Sequence, residues 1–349
     1  MKSARLLQVL PVLAQFFLIP FCKVAAQDPA TDPSCTSGSM GAILDDIFTA
    51  LPPTRRDLNA TARIIGGHDA HNGELPWMVA LYEFKPDLDG PLRDKFEQIC
   101  GAVLISGHFV LTAAHCLYFD GLHESQNWEK VLVKVGSTSR AISQGDTRSQ
   151  FIRVAQIVLH FEFDDEELYN DIILIRLCQD ALQIPGTAPA VLADPNDPAN
   201  GQYAVPMFSE LTVAGWGLDK NEEEPENYPR ILQTTTVQLQ LFDGCNTDVY
   251  DDDLRKDIQI CCGVRGGGRD ICKGDSGGPL IFLPNILIGI ASHQTGDVSL
   301  CGDASTPAVY AYAPAYSDWV FNQVHSMTGN PFEIIIMNKR SLENATRSL

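Results

Sequence analysis

The feature that most constrains the fold is a series of short apolar runs that begins after Ile64. Each run has the length of a β-strand, is rich in valine, isoleucine and threonine, and is bounded by glycine, proline, asparagine or aspartate. The clearest runs are residues 102–105, 131–135, 151–159, 172–177, 234–241 and 286–291. This pattern is typical of an all-β sandwich or a pair of barrels. Helical spacing is clear only near the end of the chain, where Val320 and Val324 share one helix face.

Composition allows a buried core and excludes one class of partner. Hydrophobic residues make up 45% of the 349 residues, which argues against global disorder. The formal net charge of -19 argues against nucleic acid as a partner, because phosphates would be repelled. Acidic runs lie at residues 164–167, 222–224 and 251–253. We interpret them as solvated loops that keep the protein soluble, with attraction of basic substrates or partners as the alternative.

The first 26 residues have the pattern of a cleaved signal peptide. Lys2 and Arg5 precede an apolar stretch at residues 6–21, and the small residues of 24–26 follow where a signal peptidase would cut. A membrane anchor is the alternative, but the stretch is shorter than the roughly 20 apolar residues that a spanning helix needs. It is also interrupted, at Pro11, Gln15 and Pro20. We therefore expect a secreted, extracellular protein that is not attached to a membrane.

Residues 27–63 and 329–349 flank the β-rich region. The first segment contains Asp-Pro and Pro-Pro pairs that break regular structure, so we interpret it as a pro-segment. The second is interpreted as a C-terminal tail. Asn59 and Asn344 each begin an Asn-x-Thr triplet, the acceptor pattern for N-glycosylation, although such triplets are common by chance.

Cysteine usage agrees with secretion. The chain has ten cysteines, and Cys22 would leave with the signal peptide. The remaining nine predict disulfides, with one thiol left over or paired between molecules. No pair of closely spaced Cys/His motifs forms a zinc-site pattern, and the adjacent Cys261 and Cys262 cannot readily bind one metal together. We expect no metal site.

Three segments carry residues suited to acyl transfer. His115 follows an apolar strand, Asp171 stands at the mouth of a buried strand, and Ser276 lies in the glycine-rich loop 274–279. Acyl transfer needs a nucleophile, a base that takes its proton and a group that orients the base. Serine, histidine and aspartate supply these roles when the fold brings them together, whatever their order in the chain.

These segments resemble the three catalytic blocks of the trypsin/chymotrypsin family of serine proteases, in the same order. Residues 63–67 resemble the family's activation site, and residues 215–217 and 316–320 resemble two further blocks. The resemblance runs from Ile64 to about His325. It implies two antiparallel six-stranded β-barrels with a C-terminal helix, the chymotrypsin-like fold, in a protease domain at residues 64–328.

The resemblance also implies a role for each site residue. Ser276 would be the nucleophile, His115 the general base and then the general acid, and Asp171 the group that orients and stabilises the imidazole. The main-chain N–H groups of Gly274 and Ser276 would form the oxyanion hole. Ser292 matches the serine that supports the buried aspartate.

Activation follows from the same resemblance. Cleavage after Arg63 would free the α-amino group of Ile64, which in the family enters the core and pairs with the aspartate before the serine, here Asp275. A buried ion pair that forms only after cleavage is a plausible switch, because an unpaired buried carboxylate is unfavourable. The activator would be a trypsin-like protease or the enzyme itself. The Arg-Arg pair at 55–56 offers a weaker second processing site.

The specificity pocket departs from the trypsin pattern. Asp270 stands six residues before Ser276, where a carboxylate selects arginine or lysine by charge pairing. However, Ile271 replaces a small or polar residue, Gln294 lies in a His-Gln pair where Trp-Gly is usual, and Ala308 replaces glycine. Added side-chain volume should narrow the pocket. We expect cleavage after arginine or lysine, with a preference for apolar side chains as the alternative.

Disulfide pairs are implied in part. The resemblance gives three: Cys100–Cys116, Cys245–Cys261 and Cys272–Cys301. The pairing of Cys35, Cys178 and Cys262 stays open; a Cys35–Cys178 bond, which would tether the cleaved pro-segment as in some relatives, would leave Cys262 free. The segment after Gly136 lacks the carboxylates of the family's calcium loop, so no structural calcium is expected.

Together these features predict a secreted serine endopeptidase, a monomer that is made as a zymogen and acts on proteins or peptides. Protein protease inhibitors are further expected partners. The main rival is a catalytically weak or inactive binding module, an inhibitor or adaptor that keeps the fold. Such modules usually have a substituted triad residue, and none is substituted here.

Overall fold

The computed structural model describes most of the region after Ile64. It covers residues 35, 64–125, 127–142, 150–193, 205–218, 228–243, 245, 253–282, 284–294, 300–329 and 336–337. Several expectations fall outside the described residues: the signal peptide, nearly all of the pro-segment with Arg63, and both glycosylation triplets.

The first barrel holds six strands in a closed antiparallel ring. After a short strand β1 (His68–Asp69), its members are β2 (Met78–Phe84), β3 (Phe96–Leu104), β4 (Phe109–Thr112), β5 (Val131–Val135), β6 (Phe151–Leu159) and β7 (Ile173–Leu177). Their order around the barrel is β2-β3-β4-β7-β6-β5. All five residues of β7 are buried, including Arg176, so apolar residues occupy both faces of this strand rather than alternating with polar ones.

The second barrel comes from the later strands. They are β8 (Val191–Ala193), β9 (Glu210–Gly215), β10 (Gln233–Leu239), β11 (Gln259–Gly263), β12 (Pro279–Phe282), β13 (Ile286–His293), β14 (Ala308–Tyr312) and β15 (Ile336–Met337). The order β9-β10-β11-β14-β13-β12 closes because β12 pairs with both β13 and β9. β8 pairs with β13 in parallel and β15 pairs with β8 in parallel, so part of the predicted tail joins this sheet.

Helices are few among the described residues. α1 (His115–Tyr118) is a single turn, and α2 (Ser317–Thr328) ends at Gly329, whose φ of 66° is the left-handed value that glycine adopts readily. Short 3-10 turns occur at Leu92–Lys95, Trp128–Lys130, Ala181–Gln183 and Ala313–Tyr316. Val320 and Val324 are buried, as their shared face predicts. Within the described part of the chain, no helix is both long and apolar enough to cross a membrane.

The predicted fold class is confirmed: two closed six-stranded antiparallel barrels with a C-terminal helix. Strand β1 pairs with β10, so the beginning of the described domain lies against the second barrel before the chain builds the first. The apolar cluster of the first barrel continues into residues of β12, β13 and α2. This shared core packs the two barrels against each other and so fixes the relative positions of their loops.

The described part of the chain contains four disulfides. Three are the pairs that the resemblance implies: Cys100–Cys116, Cys245–Cys261 and Cys272–Cys301. The fourth joins Cys35 to Cys178 across 143 positions of sequence, with both residues buried beside Ala155. Cys262 is a buried free thiol.

Candidate active site

The register of the first barrel brings His115 and Asp171 to one end of two paired strands. Thr112, the last residue of β4, lies opposite Ile173, the first residue of β7. His115 comes three residues after Thr112, and Asp171 comes two residues before Ile173. β4 and β7 are antiparallel, so the end of β4 lies beside the start of β7. His115 and Asp171 therefore lie at the same end of this strand pair.

Asp171 is buried, and its carboxylate accepts three hydrogen bonds. Its Oδ1 accepts the main-chain N–H of His115 at 2.9 Å, and its Oδ2 accepts from His115 Nδ1 at 2.8 Å. The same Oδ2 accepts the hydroxyl of Ser292 at 2.5 Å. The carboxylate therefore fixes both the position and the tautomer of the imidazole, since Nδ1 must carry the proton.

The two groups shift each other's titration. Burial alone would raise the pKa of Asp171, but the charge and hydrogen bonds of His115, with the Ser292 hydroxyl, outweigh it and lower that pKa. Burial alone would lower the pKa of His115, but the charge and hydrogen bond of Asp171 outweigh it and raise that pKa. The arrangement favours an imidazole that takes up a proton more readily than a free one.

The loop of Ser276 is bound to both barrels. The Ser276 carbonyl accepts from the N–H of Gly101 in β3 at 2.9 Å, and the N–H of Gly277 donates to Ala291 in β13 at 2.8 Å. Gly277 has a φ of 73°, and a Cβ there would lie 2.0 Å from the hydroxyl oxygen of Thr112. Only glycine fits, so the loop packs directly on the strand that leads to His115.

The candidate nucleophile is within the same site without a fixed hydroxyl partner. Ser276 is partly exposed, and among the described residues its hydroxyl makes no hydrogen bond to His115 Nε2. Catalytic hydrogen bonds are often long in the absence of substrate and shorten in the complex. The Ser276 loop packs on Thr112, three residues before the histidine that Asp171 holds.

Main-chain amides around Ser276 divide into used and available donors. The N–H groups of Asp275, Gly277 and Gly278 donate to carbonyls within the protein. Those of Gly274 and Ser276 donate to no acceptor among the described residues. Gly274 has a φ of 96°, a conformation that favours glycine. These two amides are the pair that the sequence predicts for an oxyanion hole.

Asp275 is a buried carboxyl group without a cationic partner among the described contacts. Its Oδ1 accepts from the N–H of Gly217 at 2.7 Å and its Oδ2 from the N–H of Cys272 at 2.9 Å. Burial raises its pKa from 3.8 to about 7, although both amides lower it. Ile64, whose α-amino group cleavage would free, is fully buried.

Asp270, the acidic member of the predicted specificity residues, is only 1% exposed. Its carboxylate accepts the N–H of Ile271 at 2.8 Å, and burial raises its pKa well above the usual range. Ala308 in β14 is buried opposite Cys262. The side-chain amide of Gln294 donates to the carbonyl of Ile271. This bond joins the segment that carries Asp270 to the end of β13.

Two side-chain contacts near the site were not predicted from the sequence. One is the Gln294 bond to Ile271, and the other places His293 Nδ1 3.1 Å from Ser292 Oγ. The polar His-Gln pair after Ser292 is the only sequence signal for either contact. Sulfur and nitrogen atoms of Cys100, His115 and Cys116 lie close enough for a metal, but the two cysteines form a disulfide and offer no thiolate.

Comparisons with known proteins all point to the same protein family. A family model described as Trypsin matches residues 64–320. Trypsin-1 of Astacus astacus is 33% identical over 260 residues, covering 74% of this chain and 98% of that protein. Trypsin of Phaedon cochleariae is 28% identical over 280 residues, and the match covers 80% of this chain and 95% of that trypsin.

Coagulation factor XI of Bos taurus is 30% identical over 264 residues. The match covers 75% of this chain but only 38% of factor XI, so it concerns one part of that larger protein. With the two-barrel fold and the clustered histidine, aspartate and serine, these matches lead to one conclusion: the chain belongs to the trypsin family of serine proteases.

Proposed function

We propose that the protein is a serine endopeptidase that hydrolyses peptide bonds through an acyl-enzyme. The observation that carries the proposal is the buried Asp171 carboxylate, which accepts two hydrogen bonds from His115 and one from Ser292. A carboxylate held this way stabilises the imidazolium that forms when the histidine takes a proton.

In the proposed reaction, His115 Nε2 takes the hydroxyl proton of Ser276 as the oxygen attacks the substrate carbonyl. The N–H groups of Gly274 and Ser276 hold the resulting oxyanion. His115 then gives the proton to the leaving amine, which departs and leaves an acyl-enzyme. Water then enters, and its oxygen attacks the acyl carbon while His115 takes one of its protons. The bond from that carbon to Ser276 Oγ breaks, the serine oxygen takes the proton back from His115, and the acid is released. Asp171 stays ionised throughout, because its lowered pKa disfavours protonation.

Activation by cleavage between Arg63 and Ile64 is part of the proposal. The buried Asp275 carboxyl has two amide donors and a pKa of about 7, so it lacks full compensation for its charge. The new α-ammonium of Ile64 would supply that compensation. Because Asp275 adjoins both Gly274 and Ser276, the pairing would act directly on the oxyanion hole.

Secretion and processing complete the proposal. Four disulfides fit an oxidising compartment, which agrees with removal of a signal peptide at residues 1–26. Residues 27–63 would form the pro-segment, 64–328 the protease domain and 329–349 the tail. We further propose a monomer, glycosylated at Asn59 and Asn344, that protein protease inhibitors recognise.

Cleavage after arginine or lysine is the proposed specificity, supported by the buried Asp270. A preference for other side chains is the second candidate, and two observations favour it. Gln294 is hydrogen-bonded to Ile271, the residue after Asp270, and burial raises the pKa of Asp270 well above its usual range. A buried carboxyl group with a raised pKa selects cations less strongly than an exposed carboxylate of ordinary pKa.

The test is hydrolysis of matched peptide substrates that end in arginine, lysine or leucine, before and after limited trypsin treatment. We expect activity only after Ile64 becomes an N-terminus, and none in Ser276→Ala. Leucine-selective activity would establish the second specificity. The endopeptidase proposal is wrong if the cleaved wild-type protein neither hydrolyses any substrate nor reacts with a covalent serine probe. That result would favour the alternative, an inactive binding module that keeps the fold.

A further inference from the structure

Two neighbouring side chains at the end of β13 contact each other. His293 Nδ1 lies 3.1 Å from Ser292 Oγ. Consecutive side chains in a regular strand point to opposite faces of the sheet. Here the pairing of β13 with β14 shifts register between Ala291 and His293, and such an irregularity re-aims side chains. The shift accounts for a contact that a regular strand would not allow.

The direction of each hydrogen bond follows from proton counting. The Ser292 hydroxyl has one proton, and its oxygen lies 2.5 Å from Asp171 Oδ2. An ionised carboxylate only accepts, so that proton lies on the bond to Asp171. Toward His293 the Ser292 oxygen can only accept. His293 must therefore donate from Nδ1, and in the neutral ring Nε2 carries the lone pair.

We propose that His293 is a positioning residue for the Asp171–His115 pair, acting through Ser292. By donating to Ser292 Oγ, it fixes the hydroxyl in the orientation that donates to Asp171 Oδ2. The hydrogen bonds then run from His293 to Ser292 to Asp171, with His115 donating to the same carboxylate oxygen. Bonds in such a chain polarise and strengthen one another.

The charge state of His293 supports this assignment. Burial lowers its pKa to about 4; the Asp171 charge opposes this effect and the His115 charge adds to it. Among the described residues these are the two titratable groups whose charges act on His293. The ring is therefore neutral at neutral pH, and a single tautomer is enough to keep Ser292 oriented.

A spectroscopic experiment tests the hydrogen-bond direction without any assay of activity. Nitrogen-15 NMR of the full chain, with His293 assigned by its loss in His293→Asn, reports which ring nitrogen carries the proton. We expect a neutral ring with the proton on Nδ1 between pH 6 and 8. A proton on Nε2 would overturn the proposal, whether or not the protein is a peptidase.

The functional consequence rests on the proposed peptidase activity and is tested with a matched pair of variants. Asparagine can place an N–H near the position of Nδ1, whereas leucine has the same shape without a donor. In His293→Leu we expect kcat to fall roughly tenfold with little change in KM, the size of effect that one lost hydrogen bond produces. His293→Asn should retain kcat within about twofold of wild type.

The pH profile and a second background separate positioning from packing. Without the His293 donor, the Ser292 hydroxyl can turn away from Asp171, and the carboxylate loses the hydrogen bond that this hydroxyl donates. Because its charge is then less compensated, Asp171 stabilises the imidazolium of His115 more strongly, and the pKa of His115 should rise. The acid limb of kcat/KM should move to higher pH in the leucine variant only. In a Ser292→Ala background the leucine and asparagine variants should be equally active. Equal activity in the wild-type background, or an undiminished difference in Ser292→Ala, would refute the role.

Discussion

The main-chain N–H of Gly101 donates a 2.9 Å hydrogen bond to the main-chain carbonyl of Ser276. This bond joins β3 of the first barrel to the serine loop of the second. Cys100, the residue before Gly101, is bonded to Cys116, the residue after His115. One short stretch of β3 therefore positions both the candidate nucleophile Ser276 and the candidate base His115. These two residues are 161 positions apart in the chain.

The first prediction concerns the packing of this loop. Gly277→Ala would place a methyl group 2.0 Å from Thr112 Oγ1 and 2.4 Å from the Gly101 carbonyl, at a φ of 73°. We expect a loss of about 3 kcal/mol or more in the free energy of unfolding and no measurable peptidase activity. Denaturant unfolding and substrate assays measure both.

Gly266→Ala is the control for the added methyl group alone, because no atom beyond its chain neighbours lies within 4 Å of it and its backbone is not in the left-handed region. It should leave stability and activity within experimental error of wild type. If both substitutions had equally small effects, the close packing of the serine loop on the first barrel would be wrong.

The second prediction concerns the charge on Asp171. Asp171→Asn removes the carboxylate that raises the pKa of His115 and accepts its Nδ1–H. We expect kcat to fall by about 10⁴, and the acid limb of the residual activity to move to lower pH, because the imidazolium loses its stabilising charge. Steady-state kinetics from pH 5 to 9 would show this; an acid limb displaced upward would contradict it.

The third prediction follows from the raised pKa of Asp275, about 7 in the folded chain against 3.8 ordinarily. A carboxyl whose folded pKa is raised contributes stability below the lower value and loses it as pH rises through the higher one. The uncleaved protein should therefore lose stability between pH 4 and 7 relative to Asp275→Asn, by on the order of 4 kcal/mol.

The measurement is denaturant unfolding of both proteins in a Ser276→Ala background, which prevents self-cleavage. Only the change with pH counts, because the asparagine also alters the two amide contacts by a constant amount. After cleavage at Arg63 the Ile64 α-ammonium should cancel the loss, so the pH-dependent difference should shrink. A difference that stays flat in the uncleaved protein would rule out a charged, uncompensated Asp275.

The fourth prediction uses the Cys35–Cys178 disulfide. Cleavage after Arg63 should leave residues 27–63 attached to the protease domain, because Cys35 lies in that segment. A cleaved sample should run as one species without reductant and as two with it. Cys178→Ala should release the small chain without reductant, whereas Cys262→Ala, at the free thiol, should not. Release from cleaved wild type without reductant would show that the tether is absent.

The sequence predicted those features that depend on local pattern. The strand runs indicated an all-β sandwich or a pair of barrels, and the family resemblance implied the two six-stranded barrels that the structure shows. The short motifs around His115 and Asp171 located two side chains that the structure joins by hydrogen bonds. Two polar contacts at the end of β13 were not predictable in the same way. The His293–Ser292 bond depends on a register shift in β13, and the Gln294 bond spans segments that only folding brings together. Side-chain type alone does not encode either geometry.

The last prediction concerns the bond between Gln294 and Ile271. Gln294→Gly removes the side chain that joins the two segments flanking Asp270, so an arginine side chain should gain access to the carboxyl. We expect kcat/KM for arginine substrates to rise roughly tenfold, with a much smaller change for leucine substrates. Since burial raises the pKa of Asp270, the gain should increase with pH as the carboxyl ionises.

Asp270→Asn combined with Gln294→Gly is the control, because it opens the same space without the charge. That double variant should lose the arginine gain and its pH dependence while keeping activity on leucine substrates. If Gln294→Gly improved both substrates equally, the glutamine would limit access without selecting charge. If it improved neither, the Gln294 side chain would not be the group that limits access of arginine to Asp270.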